Sequence, residues 1–582
     1  MNNVVTFSSV LALGAALAGC TGMVAGNGQP GGGNNNPGST GSGGAGQVNP
    51  GGGSSASTST NPNGGAASVA VNGAPGVSLM HRLNTAEYNA TVADVLGTTL
   101  QPATANWRGG QIEGFDNIAS VLGVDDAQYS LYVDAAQAVA NDVFASPTLM
   151  AKVLTCTTAD DMTCVKSIIT QTGLRVFRSP VTDAQFTAFT AVYTQARAQA
   201  ETHSDAIKDV LWSMLSSAEF LYRMEFDNGV TTKHPITGFE LASRLSYFLW
   251  SSAPDDALLT AAAGTLNADA TIDSTVDRML ADPKSARFVS NFAGQWLGGR
   301  DIIAHPVDKT LYAAWTPDVA SAAANEVYSF FNEFLRNDLQ WTDFLKLDVN
   351  FVNAPLAAFY GMPAVTGTAA VRTVFSGDQR QGFLGLAGFL ADSSVAARSS
   401  PTLRGKWMLV NLMCAPPPAP PANVPKLVNT TGADPASTNV RTALEAHRAA
   451  PACSGCHSVM DPFGLALEQY DGIGHYRTTY PDMSVIDPST SLPASPSFPM
   501  GISFSGLSGA ETAVGTDPRF RTCIGQKLYT YGLGRSLEGS ADDIANAAVI
   551  SQNWEAAGDL SVNKLIHGLA LAEAFRDRSP TP

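Results

Sequence analysis

The chain has 582 residues, with 34 Lys and Arg against 50 Asp and Glu, a formal net charge of −16 and a charged share of 14%. Ordinary soluble domains carry about 25% charged residues. A sparsely charged, net acidic surface argues against nucleic-acid binding and against an electrostatic membrane footprint.

The first 20 residues combine an apolar run, Val10 to Leu17, with the ending Leu17-Ala18-Gly19-Cys20. The run is too short to span a bilayer and reads as a secretory signal. Its ending resembles the bacterial lipobox, which implies a lipidated Cys20, although no Lys or Arg precedes the apolar run. Residues 21–79 are mostly Gly, Asn, Ser, Thr, Pro and Ala with no charge before Arg82. Such a segment has little to bury and reads as a flexible tether. The expectation is an exported, lipid-anchored protein at the outer membrane or cell surface, held to the membrane through the lipid alone. About 500 residues then remain for three or four domains.

Helical periodicity dominates from residue 80 onward. Asn84 with Glu87 three residues on forms a capping-box start, Tyr88, Val92, Val95 and Leu96 share a face, and Gly97 ends the helix. A second helix is expected over 125–145, with Tyr129, Tyr132, Val133, Ala136, Val139 and Val143 as its core stripe. Further starts fall at Thr182, Thr237 and Asp255. Phe288, Phe292, Trp296, Phe330, Phe331 and Phe334 extend an aromatic helical core. Few segments alternate with period two, so the fold class is mainly α: a multi-domain helical body with a C-terminal C-x-x-C-H module. The expected units are 80–150, 151–230, 235–365, 375–480 and 505–580.

Between residues 398 and 406 lies a basic cluster, Arg398, Arg404 and Lys406. It reads either as a solvated helix start or as a partner for carboxylates. Pro416 to Pro421 forms a polyproline strut. It leads to Cys453-Ser-Gly-Cys456-His457, the C-x-x-C-H signature in which two thiols add to the vinyl groups of one haem c and the histidine ligates iron. One helical turn puts Cys453 and Cys456 on one face and lets His457 point beneath the ring. A zinc site is the rival, but the side chains of Cys456 and His457 diverge and the sequence supplies no second C-x-x-C or H-x-x-x-H. Met460 is a candidate for the sixth position, on condition that Asp461-Pro462 breaks the helix. His447, His475, Met483 and Met500 are the other candidates.

Seven cysteines less Cys20 and the C-x-x-C pair leave Cys156, Cys164, Cys414 and Cys523. An exported protein pairs them. Cys156 and Cys164 bracket a short polar loop, and Cys414 with Cys523 follows by elimination.

Ordered stretches carry a wider resemblance: Arg82-Leu83-Asn84-Thr85-Ala86-Glu87-Tyr88, Gly114-Phe115-Asp116-Asn117, Leu241 to Trp250, Phe351 to Ala357, Ser400 to Trp407, His447 to Glu468, and Tyr529 to Arg535. Together they resemble the multi-domain proteins of planctomycetes and myxobacteria built from planctomycete-specific domains, described as cytochrome-c-like and of unassigned activity. The resemblance implies the architecture and the C-x-x-C-H site, and no substrate. The expected function is electron transfer with an unidentified redox partner. The alternative is an envelope binding or structural protein in which C-x-x-C-H is structural. A hydrolase lacks support, because neither G-x-S-x-G nor H-E-x-x-H occurs.

Overall fold

The computed structural model describes residues 80–580 apart from 105, 106, 108, 228, 376, 378, 419–438 and 497. The expected signal, the expected tether, Cys20 and residues 419–421 of the expected proline strut lie outside the described residues.

The architecture is mainly α and multi-domain. The longer helices of the N-terminal part are α1 (Thr85–Leu96), α2 (Asp126–Ala145), α3 (Met162–Phe177), α4 (Asp183–Ala198) and α5 (His203–Leu215). The main body follows with α6 (Gly238–Trp250), α7 (Asp269–Ala281), α8 (Pro317–Arg336), α9 (Pro401–Trp407), α10 (Val440–Arg448), α11 (Pro451–Leu465), α12 (Gly506–Thr516), α13 (Pro518–Leu533), α14 (Ala541–Ala557) and α15 (Val562–Leu571). Among the described residues, strands occur only as four antiparallel pairs: β1 (His81–Arg82) with β2 (Tyr222–Arg223), β3 (His234–Pro235) with β8 (Asp577–Arg578), β4 (Val349–Val352) with β5 (Val371–Val374), and β6 (Ser489–Leu492) with β7 (Ile502–Ser505).

Local chemistry sets the helix starts. Asn84 Oδ1 accepts the Glu87 N–H at 2.9 Å, the Glu87 carboxylate accepts the Asn84 N–H at 2.9 Å, and Gly97 closes α1 at φ 82°. Equivalent boxes open α4 at Thr182 and α6 at Thr237. Each satisfies donors that the first helical turn leaves unpaired.

Two cores organise the body. One joins α1 to α5 with Tyr247, so the segments 80–150 and 151–230 share their apolar residues. The other runs from Phe115 to Phe575 and is rich in stacked rings, among them Phe288 with Phe292 at 5.0 Å and Trp341 with Phe344 at 4.2 Å. The stripe Phe288, Phe292 and Trp296 passes through a π turn, Val289–Ala293. Tyr129 departs from its expected core place. It is 46% exposed and donates its hydroxyl to the Ser216 carbonyl at 3.2 Å, because α5 covers the neighbouring face of α2 instead.

Both expected disulfides are present. Cys156 pairs with Cys164 across eight residues, and Cys414 pairs with Cys523 on α13. Among the described residues, no helix is long and apolar enough to cross a membrane.

Candidate functional site: the C-x-x-C-H helix

α11 starts with Pro451 at its first position, where a missing N–H costs nothing. It continues without a break through Pro462 to Leu465. Glycines fasten it to α9. A Cβ on Gly405 would run into the Met460 carbonyl, and one on Gly464 into the Pro401 carbonyl, so the two backbones touch where only hydrogen fits. A satellite core of Val440, Leu444, Leu465, Tyr480 and Ile486 holds α10 against the far end of α11.

This scaffold places the predicted residues as follows. Cys453 and Cys456 are free thiols, each half-buried, on one turn of α11. A Cβ at Gly455 between them would meet nothing within 4 Å, so that side of the turn is open. His457 Nδ1 lies 3.0 and 3.1 Å from the two carboxylate oxygens of Asp461, one turn on. An ionised carboxylate only accepts hydrogen bonds, which assigns the ring proton to Nδ1 and leaves Nε2 with its lone pair. Asp461 has no solvent exposure. It also accepts the Thr402 hydroxyl of α9 at 2.8 Å and faces Arg448 Nε of α10 at 3.8 Å. One buried carboxylate therefore ties three helices together beneath the histidine.

The sixth-position candidates fall apart in space. Because Pro462 does not break α11, Met460 stays one turn past His457 on the same rod, 7% exposed and packed in the main core. Met500 is 96% exposed, Met483 is also exposed, and His475 stacks on Phe359 at 4.0 Å. His447, the last-turn residue of α10, meets the His457 ring edge-on at 4.7 Å.

The basic cluster also resolves. Arg404 is not solvated: its guanidinium is fully buried and donates to the carbonyls of Leu467 at 2.8 Å, Tyr470 at 2.9 Å and Asp471 at 2.6 Å, and to Ser394 Oγ at 3.1 Å. It serves the chain that leaves α11, so it is unavailable to an external carboxylate. Lys406 is exposed, and Arg398 donates to the Ser399 carbonyl at 2.8 Å.

Sequence reasoning missed Asp461 as a partner of His457, and with it Thr402 and Arg448. The signal was the His-x-x-x-Asp spacing, which puts both side chains on one helix face. The proline after Asp461 drew attention to a break instead. Among the described residues, no group of three or more His, Cys, Asp and Glu side chains is placed to hold a metal ion.

A helical multi-domain body bearing one C-x-x-C-H helix is the class that fold and site define. Residues 81–145 match PSD3, a protein of unknown function (DUF1587), and residues 164–225 match PSD5 (DUF1595). Residues 236–362 match PSD4 (DUF1592), and residues 380–480, which hold α9 to α11, match PSCyt3 (DUF1588). In that order the chain thus matches four models of the planctomycete-type cytochrome-c-like domain family. Neither a curated protein nor a solved structure matches it.

Proposed function

We propose that the protein is an exported, lipid-anchored c-type haem protein that passes electrons between redox partners. The observation that carries this reading is the donor set of α11. Of the six described cysteines, four are paired and only Cys453 and Cys456 are free, half-exposed on an open helix turn next to a histidine with one ring nitrogen committed to Asp461. That donor set fits a haem c: the thiols of Cys453 and Cys456 would form the thioethers, and His457 Nε2 would ligate iron. A haem bound there supplies a one-electron Fe(III)/Fe(II) couple.

The remaining residues act by placement. Gly405 and Gly464 lock α11 against α9, which holds the thiol turn on a rigid element. Asp461 fixes the His457 ring orientation. Export of the chain, and the lipid at Cys20, would place the site where thioether attachment takes place.

The test is the full chain expressed with its signal in a host that matures another c-type cytochrome. Covalent haem mass and a Soret band that survives acid-acetone extraction are expected, and both vanish in Cys453→Ala/Cys456→Ala. Met460→Leu leaves the spectrum unchanged, since Met460 sits in the core. Exported protein without haem mass in that host overturns the proposal and leaves a binding or structural protein.

A further inference from the structure

We infer that Asp461 is a positioning residue that makes His457 a strongly electron-donating ligand and so holds the iron centre at low potential; this rests on the haem reading above. A histidine ligand that donates its second N–H to a neutral carbonyl keeps ordinary imidazole character. One that donates to a carboxylate gains basicity, because the negative charge draws the proton away and leaves more electron density on the ligating nitrogen. That density stabilises Fe(III) over Fe(II).

The geometry here is of the second kind. Both Asp461 oxygens lie within 3.1 Å of His457 Nδ1, and the carboxylate has no solvent exposure, so water does not screen the pair from the Asp461 side. Two further groups modulate it. The Thr402 hydroxyl donates to Oδ1 at 2.8 Å, and the Arg448 guanidinium stands 3.8 Å from Oδ2. Each withdraws charge from the carboxylate and tempers its pull on the histidine proton. The three helices that meet at Asp461 thereby set the donor strength of one nitrogen, a different role from simply filling the core.

Opposing variants separate this from a structural role. Asp461→Asn keeps the size and an oxygen acceptor but removes the charge. It should shift the Fe(III)/Fe(II) equilibrium toward Fe(II) by about tenfold or more, about 59 mV for a one-electron couple. Thr402→Val removes a competing donor, leaves the carboxylate more basic and should shift the equilibrium the other way by several-fold. Both are measured on the haem-loaded full chain by mediated redox titration, with circular dichroism as the check on folding. Shifts of opposite sign support the inference. Unchanged potentials, or shifts of the same sign, in coloured protein overturn it while leaving the haem reading intact. Where Asp461→Asn does not fold, Thr402→Val decides: a lowered potential supports the inference, and an unchanged or raised one overturns it. Colourless wild-type protein overturns the haem reading and this inference together.

Discussion

Glu468 and Arg404 face each other at 3.8 Å with no solvent exposure on either side chain. Glu468 also takes Arg477 at 3.0 Å and the Ser399 hydroxyl at 3.1 Å. Arg404 meanwhile donates to the carbonyls that follow α11. This pair, rather than the C-x-x-C-H turn itself, fastens the chain just beyond the far end of α11 to α9.

Arg404→Met is therefore expected to cost about 3–5 kcal/mol, because it leaves the buried Tyr470 carbonyl without a donor, takes one of two donors from the Leu467 and Asp471 carbonyls, and removes the positive charge facing the buried Glu468 carboxylate. Glu468→Gln in the same chain should recover part of the loss. Urea unfolding of the two single variants and the double variant measures the coupling. Additive losses would show that the two side chains act independently.

Stability should fall as pH rises from mildly acidic to alkaline conditions. Burial pushes the Glu511 carboxyl up to about 9, against the opposing hydrogen bond from Gln381 at 3.2 Å. Burial likewise lifts Glu326 to about 7 although Tyr360 and Asn350 donate to it, and Asp392 to about 7. Between the ordinary glutamate value of 4.5 and these raised values, the folded chain holds protons that the unfolded chain releases. Unfolding then sheds protons, so stability declines with pH through this window and flattens above it. Glu511→Gln should be neutral at pH 5 and stabilising by about 1–3 kcal/mol at pH 8. Denaturation midpoints at both pH values check it, and an identical pH slope in the variant would refute it.

Reduction should act unevenly. The Cys414–Cys523 bridge closes a separation of 109 residues and ties the chain after α9 to α13. Replacing both cysteines by serine is expected to cost about 3–5 kcal/mol, against about 2–3 kcal/mol for the eight-residue Cys156–Cys164 loop. Non-reducing peptide maps establish the pairing, and thermal unfolding of the two double variants ranks the losses.

If the proposed lipid anchor at Cys20 holds the chain, Cys20→Ser should release it into the soluble fraction after export, because the Gly-, Asn- and Ser-rich sequence that follows offers almost no apolar or basic residues to a membrane. Equal partitioning of variant and wild type would refute the lipid anchor.

Local rules made much of this chain legible before its fold. Caps at Asn84, Thr182, Thr237 and Asp255 lie within a few residues of a chemistry that is complete in the sequence, and each opens a helix as expected. The C-x-x-C-H turn is equally local, and the cysteine count sufficed for the disulfides once Cys20 and the C-x-x-C pair were set aside. Tyr129 shows the limit: its spacing says core, but which face of α2 is covered depends on where α5 docks.

What the sequence by itself determined is the mainly helical class with the starts at Asn84, Thr182, Thr237 and Asp255, the pairing of four cysteines and the position of the two free thiols beside His457. These follow from contacts between near neighbours or from arithmetic on a single residue type. Only the tertiary structure decided that Arg404 is a buried brace, that Met460 belongs to the core, and that Thr402 and Arg448 converge on Asp461 from α9 and α10. Each of those outcomes depends on a close crossing between distant segments, where glycines at 405 and 464 let two backbones touch. Spacing along the chain carries no information about which surfaces such a crossing brings together.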